Sequence, residues 1–331
     1  MNIAIAGAGL IGRMVGWRLV RAGYDVRIFE RTARNQPQSS SHVAASMLAP
    51  LSEYPDCEQT IWDMAQSSMA LWPSWLDELQ VPYAIEGSIV VAHAQDAALL
   101  GKFKRTLSAA GLAGVRELSS VELTEFEPEL AGRFSSGLLL EGEGWLDNRV
   151  LLETLEDCCG AIEYETAVEP HSLKADVVID CRGMGADEKE LRGVRGEAIR
   201  LYAPEVELRH PIRLMHPKYQ LYVSPRDQHV YVVGATQIES NARSPMAVRS
   251  ALELLSAAYA VHPGFAEADI LELNVGVRPA YPDNLPRVQW HNGVLCVNGL
   301  YRHGYLVAPA ISNCVANEVR EACRYSLTAS Q

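Results

Sequence analysis

The sequence predicts a mixed α/β protein, in which a dinucleotide-binding domain of the Rossmann type is assembled from separated segments and a second, α+β domain is inserted. Three observations lead to this fold class. The first thirty residues alternate strand, glycine turn, helix and strand. Apolar strands of the same kind return in the middle of the chain and near its end. Between them lie strands whose pattern is typical of an antiparallel sheet.

Each element follows from a local pattern. The opening unit is a strand at 2–6, a helix at about 10–22 and a strand at 25–29. Apolar periodicity and capping residues predict helices at about 57–79, 96–110, 120–127, 147–158, 244–259 and 309–322. Further strands are predicted at 87–92, 136–140, 177–180, 197–202, 212–215, 220–223, 230–234, 271–277 and 294–298. This distribution assigns 1–52, 141–200 and 275–331 to the nucleotide-binding domain, and 53–140 and 201–274 to a substrate-binding domain.

Composition and charge restrict the partners. The 331 residues are 48% hydrophobic and 21% charged, an ordinary globular composition with room for two domains. A net charge of -12 disfavours nucleic acids and anionic membrane surfaces, which attract clustered Lys and Arg. The sequence has no apolar run of the roughly 20 residues that a membrane span needs, and its apolar start lacks the basic region of a signal peptide. We therefore expect a cytoplasmic protein that acts on a small molecule.

A glycine motif between the first strand and the first helix indicates where a dinucleotide binds. Gly7, Gly9 and Gly12 form GxGxxG, which allows a tight turn, a close approach of the backbone to a pyrophosphate, and close packing of the helix. The helix N-terminus offers free N–H groups to the phosphates. Glu30 ends the second strand, where a carboxylate can accept a hydrogen bond from a ribose hydroxyl. The glycines alone do not distinguish FAD from NAD.

A run of small residues follows the second strand and favours a flat cofactor. It reads SSSHVAASMLAP over positions 39–50, and small side chains there would let backbone amides lie against a ring system. A plain loop is the alternative explanation of this segment by itself. An NAD domain would instead continue with further alternating strands and helices.

With these residues in view, the sequence resembles the D-amino acid oxidase family of flavoproteins, and within it the glycine oxidases of thiazole (thiamine) biosynthesis. The resemblance covers most of the chain in five blocks. They are GxGxxG with Glu30 and Arg31; SxxAAxML at 41–48; TAV at 166–168 with ADVVIDCRG at 175–183; YVSPR at 222–226 with VGAT at 233–236; and GVRP at 276–279 with GLYRHGYLVAP at 299–309. The last two blocks are the most specific in order and spacing.

The resemblance implies a Rossmann-type FAD-binding domain that holds FAD without a covalent bond. It implies that the adenosine and pyrophosphate half contacts Leu10, Ile11, Glu30, Arg31, Ser40 and Ser41. Val168 would contact the adenine through its backbone. The flavin ring would lie against Ala45, Ser46 and Met47, and would be covered by Leu300, Tyr301, Arg302, His303, Gly304, Tyr305 and Leu306.

The resemblance also implies a substrate site. Arg278 would bind the substrate carboxylate through its planar guanidinium, with help from the Tyr222 hydroxyl and with Arg302 as a further catalytic residue. From the residues alone, a surface ion pair is the alternative for Arg278, although its place at a strand end favours a site, and Tyr222 would more often be a core aromatic. Met47, Gln220 and Gln237 would line the pocket. Both glutamines depart from the glycine-oxidase pattern, which carries His and Met there, and Ser46 stands where many relatives carry Gly.

The activity implied by the resemblance is oxidation of the C–N bond of a small amino acid, such as glycine, sarcosine or a D-amino acid. A hydride would pass to FAD, leaving an imine, and oxygen would be reduced to peroxide. Two alternatives are a dehydrogenase that passes electrons to a carrier or quinone, and a non-catalytic flavin-binding protein. The sequence indicates no metal site, and it leaves the exact substrate, the electron acceptor and a homo-oligomeric state open.

Overall fold

The structure is a computed structural model that describes residues 1–217 and 220–328. Its strands, numbered β1 to β18, are Asn2–Ala6, Asp25–Phe29, Met47–Leu48, Tyr83–Ala84, Ser88–Val91, Val115–Ser119, Ser136–Leu140, Gly144–Leu146, Ala161–Glu163, Val177–Asp180, Arg192–Tyr202, Ile212–Met215, Gln220–Pro225, Val230–Gly234, Ile238–Glu239, Asp269–Ala280, Arg287–His291 and Val294–Asn298. Its α-helices, numbered α1 to α9, are Leu10–Arg21, Ser40–Val43, Pro50–Glu53, Gln59–Leu79, Ala97–Ala109, Ser120–Phe126, Asn148–Cys158, Val248–Val261 and Gly304–Thr328. Short 3-10 helices lie at Tyr54–Asp56, Ala94–Asp96, Pro128–Leu130, Pro170–Ser172, Gly183–Gly185 and Pro263–Glu267.

The first sheet has the Rossmann-type order β17-β18-β10-β1-β2-β9. Its strands from β18 to β9 are parallel, and β17 is antiparallel to β18. β1 is buried on both faces, as expected for a central parallel strand, with Ile3 and Ile5 almost fully enclosed. α1, α4, α7 and α9 pack together beside this sheet around a large apolar core. The sheet therefore joins segments from the start, the middle and the end of the chain, as predicted.

The second sheet is larger and mostly antiparallel. Among the described residues its order is β15-β11-β14-β13-β12-β5-β7-β6, with β16 paired to β11 along nearly the whole length of both strands. A third, small sheet is antiparallel and has the order β3-β8-β4. β11 and β16 belong to the second sheet, and the predicted domain limits at 200 and 275 fall inside these two strands. The division into two domains stays a prediction.

Two helix starts show how local sequence sets the boundaries. α7 begins where Asp147 caps it, since the Asp147 carboxylate accepts hydrogen bonds from the backbone N–H groups of Arg149 (2.8 Å) and Val150 (3.1 Å). The last helix was predicted to start at Pro309, but α9 begins at Gly304. Proline cannot donate to the carbonyl four residues earlier, that of Tyr305. The indole N–H of Trp72 donates to this carbonyl instead, at 3.0 Å.

Candidate active site

A cavity of about 820 Å³ lies where the two large sheets meet. One end is formed by the carboxyl ends of β1, β2 and β10, and the other by β11, β13 and β16 of the antiparallel sheet. The edge beyond the carboxyl ends of parallel strands is the usual place for a ligand in an open α/β sheet. We name three parts of the cavity: a nucleotide end at the turn after β1, a middle at residues 39–49, and a far end at Tyr222 and Arg278.

The nucleotide end is built on the glycine turn. Gly7 has a φ of +100°, and its N–H donates to the carbonyl of Phe29 at 2.8 Å, which closes the turn between β1 and β2. A β-carbon on Gly12 would overlap the carbonyl oxygen of Gly7, so the helix can approach the turn only with glycine there. Gly9 precedes α1 and provides no side-chain cap, and a β-carbon on it would have no neighbour closer than 3.9 Å. The start of the helix thus faces the cavity with its backbone.

Glu30 lies in the cavity wall beside this turn. One carboxylate oxygen, Oε2, accepts from the N–H of Ala8 at 3.0 Å. The other, Oε1, accepts from the N–H and the hydroxyl of Thr32 at 3.0 and 2.9 Å. These bonds hold the carboxylate at the carboxyl end of β2, next to the glycine turn.

The middle of the cavity is lined by the small-residue segment. Its lining members are Ser39, Ser40, Ser41, Val43, Ala44, Ala45, Ser46, Met47 and Ala49. Ser46 has a positive φ of 47°, and its hydroxyl donates to the carbonyl of Leu146 at 2.6 Å. The buried guanidinium of Arg226 donates to the carbonyl of Ala45 and, at 3.1 Å, to the hydroxyl of Ser46. Burial lowers the pKa of Arg226 to about 10, so this buried arginine remains a cation at neutral pH.

The far end contains Arg278 and Tyr222. Arg278 donates to the carbonyl of Thr236 at 3.1 Å and forms no ion pair with any carboxylate of the described residues. Its guanidinium packs on the Cα of Gly196, where a β-carbon would overlap it. Burial lowers the pKa of Arg278 and raises the pKa of Tyr222, and it is the largest cause of each shift. Each side chain also contributes to the pKa shift of the other, and both line the cavity.

Three further side chains line the cavity near this end. The Nε of Arg302 lies 2.8 Å from Oε2 of Glu53, and Nδ1 of His303 lies 3.5 Å from the same oxygen. Arg302 also donates to the backbone carbonyl of Asp56 at 3.3 Å. Burial lowers the pKa of His303 to about 4, so its ring is neutral at neutral pH.

The cavity brings together most of the residues predicted from the sequence. The lining includes Gly7, Gly9, Leu10, Ile11, Glu30, Arg31, Ser40, Ser41, Ala45, Ser46, Met47, Tyr222, Gln237, Arg278 and every residue from Leu300 to Leu306. Gly12 packs behind the turn, and Val168 lies outside the lining, where its carbonyl accepts from Arg182 at 3.3 Å. The side chain of Gln220 is outside the described part of the structure. Glu53 and Gly196 were not predicted.

A parallel sheet with a glycine turn and an acidic residue at the ends of its first two strands defines a dinucleotide-binding protein of the Rossmann type. Comparison with known proteins makes the class specific. The sequence model of the FAD dependent oxidoreductase (DAO) family matches residues 2–318, and the chain belongs to this family. The predicted cofactor, FAD, and the predicted enzyme class are therefore confirmed.

Individual relatives span nearly the whole chain. The "Putative thiamine biosynthesis oxidoreductase ThiO" of Rhizobium etli is 40% identical over 327 residues, which cover 96% of each chain. The glycine oxidase of Geobacillus kaustophilus is 26% identical over 353 residues, covering 96% of this chain and 92% of the relative. The crystal structure of glycine oxidase from Geobacillus kaustophilus superimposes with a TM-score of 0.84 at 25% identity, over 96% of this chain and 94% of that one. The predicted fold class is thus confirmed.

The residues present fit FAD. The glycine turn leaves room for a pyrophosphate at the start of α1, because a β-carbon at Gly9 would have only the Ser39 β-carbon nearby, at 3.9 Å, and the Leu10 N–H is bonded only to the hydroxyl of the cavity-lining Ser41, at 3.3 Å. The small-residue segment leaves a wall of backbone and short side chains in the middle of the cavity.

No group of three or more His, Cys, Asp or Glu residues in the described ranges could hold a metal ion. Within the same ranges, no helix is long and apolar enough to cross a bilayer.

Proposed function

We propose that this protein oxidises the C–N bond of a small amino acid, such as glycine, sarcosine or a D-amino acid, to an imine. Bound FAD supplies the hydride acceptor, and oxygen is the proposed final acceptor, with release of peroxide. The protein has to bind the substrate and hold its α-hydrogen in a fixed direction. The residues described below are assigned to these tasks.

The single observation that carries the proposal is that Arg278 lines the cavity without a carboxylate partner among the described residues. It is a cation in the cavity wall, and no carboxylate of the described residues neutralises it. A guanidinium held in this way by packing on Gly196 and by the Thr236 carbonyl is ready to receive an external carboxylate. The adjacent Tyr222 can donate its hydroxyl proton to the same carboxylate, because burial raises its pKa and keeps the phenol neutral.

We assign the cofactor-binding residues from the same cavity. The glycine turn, Glu30 and Arg31 would hold the adenosine and pyrophosphate half, together with Ser40 and Ser41. The backbone of Ala45, Ser46 and Met47 would lie against the flavin ring, and the segment 300–306 would cover it. Since Arg226 fixes the carbonyl of Ala45 and the hydroxyl of Ser46, it would set the position of this wall.

The similarity to a relative named for thiamine biosynthesis supports a biosynthetic role. That relative is 40% identical, and the alignment covers 96% of each of the two chains. Gln237 lines the cavity of this chain, as predicted, so the proposed substrate pocket has an amide where the glycine-oxidase pattern carries Met. We propose that this amide selects among small amino acids of different N- or α-substituents.

The test is anaerobic mixing of the FAD-loaded protein with glycine, sarcosine and D- and L-amino acids, while flavin absorbance is followed. We expect at least one small amino acid to bleach the flavin, and air to restore the colour with release of peroxide. Failure of every amino acid to bleach the flavin would overturn the proposal. Bleaching without reoxidation by oxygen would instead favour a dehydrogenase.

A further inference from the structure

Glu53 is the carboxylate of the far end, and the proposed function above leaves it without a role. It is the last residue of the short helix α3, and the buried Glu143 holds the preceding residue, Ser52, by hydrogen bonds. The Glu143 carboxylate accepts from the N–H of Ser52 at 2.6 Å and from its hydroxyl at 2.8 Å. The guanidinium of Arg213 donates to the Ser52 carbonyl. The backbone that carries Glu53 is therefore held by buried hydrogen bonds.

The polar atoms around Glu53 are not satisfied by the protein. Oε2 of Glu53, Nε of Arg302 and Nδ1 of His303 are buried, and none of them has a hydrogen-bond partner among the described residues. Arg302 and Glu53 are close enough for an ion pair at 2.8 Å, but the N–H is not directed at the oxygen. Buried polar atoms are normally hydrogen-bonded, and a group of three exceptions in one cavity wall indicates that a ligand or water completes them.

The charges of this cluster favour a cation. Arg302 is shared between two carboxylates, with Glu53 at 2.8 Å and Asp56 at 3.9 Å, and of these two only Glu53 lines the cavity. His303 adds no charge at neutral pH, because burial lowers its pKa to about 4. Arg278 lies within electrostatic reach of Glu53 and is the cation without a carboxylate. The far end thus presents a guanidinium without a carboxylate partner, that of Arg278, and a buried carboxylate oxygen without a hydrogen-bond partner, that of Glu53.

An amino acid in water carries the matching pair of charges, a carboxylate and an ammonium group. We propose that Glu53 is the ammonium-binding residue of the substrate pocket, so that Arg278 and Glu53 together recognise the zwitterion. This inference rests on the proposed function. It assigns to Arg302 and His303 the task of orienting the Glu53 carboxylate. It also explains how an amino acid would be distinguished from a carboxylic acid of the same shape. A ligand without an ammonium group would leave the Glu53 carboxylate buried and unpaired, which is unfavourable.

The experiment compares two ligands that differ only in the amine. 2-Aminoisobutyrate has no α-hydrogen and cannot be oxidised, and isobutyrate has the same carbon skeleton without the amine. Each is titrated into the FAD-loaded protein, and binding is followed by the change in flavin absorbance. We expect the wild type to bind the amino acid more tightly than isobutyrate. In Glu53→Gln, affinity for the amino acid should fall about 10- to 100-fold, whereas affinity for isobutyrate should stay the same or rise, because the lost negative charge repelled this anion.

The control is Glu78→Gln, which removes the same charge from an exposed ion pair with Arg21 and should alter neither affinity. Equal losses for both ligands in Glu53→Gln, or no loss for either, would overturn the inference. If that variant does not retain FAD, the wild type still decides, since equal affinities for the two ligands would also exclude an ammonium site. Failure of the proposed function is separate, because it would appear as an unbleached flavin with oxidisable amino acids even if the zwitterion binds.

Discussion

The guanidinium of Arg278 packs directly on the Cα of Gly196, and the two residues lie on the paired strands β16 and β11. A side chain at position 196 would occupy the space that the guanidinium now fills. The pairing of two long strands therefore sets the direction in which Arg278 enters the cavity. Gly196 permits this direction because it has no side chain.

Gly196→Ala should displace Arg278 while keeping its charge. The long arginine side chain can move, so we expect the protein to fold and to hold FAD. The carboxylate would then be held in the wrong place, and flavin reduction by the best substrate should slow by about tenfold or more. Stopped-flow bleaching under anaerobic conditions measures this rate. Gly101→Ala is the matched control and should leave the rate unchanged, because a β-carbon at this half-buried position of α5 would meet only the end of the Arg105 side chain, at 3.4 Å. A wild-type rate in Gly196→Ala would show that the position of Arg278 is not critical.

Arg278→Lys tests the planar contact itself. Lysine keeps the positive charge but loses the two-point geometry that a guanidinium offers to a carboxylate. We expect flavin reduction to slow about tenfold for each 1.4 kcal/mol of lost binding or orientation, with bound flavin unchanged. Arg21→Lys, in an exposed ion pair, is the control. If the Lys variant is reduced at the wild-type rate, another group holds the carboxylate, and Arg302 is the next candidate. Loss of flavin would assign Arg278 to the cofactor instead.

The elements with strong periodic patterns were predicted from the sequence. β1, α1 and β2 follow from apolar alternation around a glycine motif, and the start of α7 follows from Asp147. Strands of two or three residues, such as β3 and β4, carry too little pattern to be recognised. The start of α9 was missed because Pro309 usually marks a helix start, whereas here Trp72 from another helix replaces the lost hydrogen bond.

The candidate site divides in the same way. Residues within the contiguous motifs, such as Glu30 and Arg278, could be predicted because the motif itself defines their surroundings. The place of Glu53 in the site could not be predicted. A single acid after a run of small residues has no recognisable pattern, and only the fold brings Arg302 beside it. Gly196 lies between charged residues in β11, and nothing in the sequence indicates that a guanidinium packs on it.

Glu30→Gln tests the cofactor end. The amide keeps one acceptor oxygen but loses the charge that strengthens a hydrogen bond from a ribose hydroxyl. We expect FAD affinity to fall by about 1–3 kcal/mol, measured by recovery of flavin fluorescence on dilution. Glu163→Gln, on the adjacent strand β9 in an exposed ion pair, is the control. Acid precipitation should release the flavin from both proteins if it is bound without a covalent link. Unchanged FAD dissociation in Glu30→Gln would mean that the carboxylate serves only its bonds to Ala8 and Thr32.

Glu143 is fully buried beneath α3, and burial raises the pKa of its carboxyl to about 7 from an ordinary value of 4.5. The folded state therefore binds the proton more tightly than the unfolded state. The stabilising contribution of this proton is complete below pH 4.5 and is lost as the pH rises through about 7.

Glu143→Gln replaces the titrating carboxyl by an amide that stays neutral at every pH. Relative to this variant, the unfolding free energy of the wild type should fall by on the order of 3 kcal/mol between pH 4.5 and pH 8. Urea denaturation of the FAD-loaded proteins at several pH values measures the difference. Glu141→Gln, at an exposed position nearby, should run parallel to the wild type across the same range. A constant difference between wild type and Glu143→Gln would show that Glu143 remains ionised in the fold. The hydrogen bonds from Ser52 and Ser88 would then outweigh the cost of burying the charge.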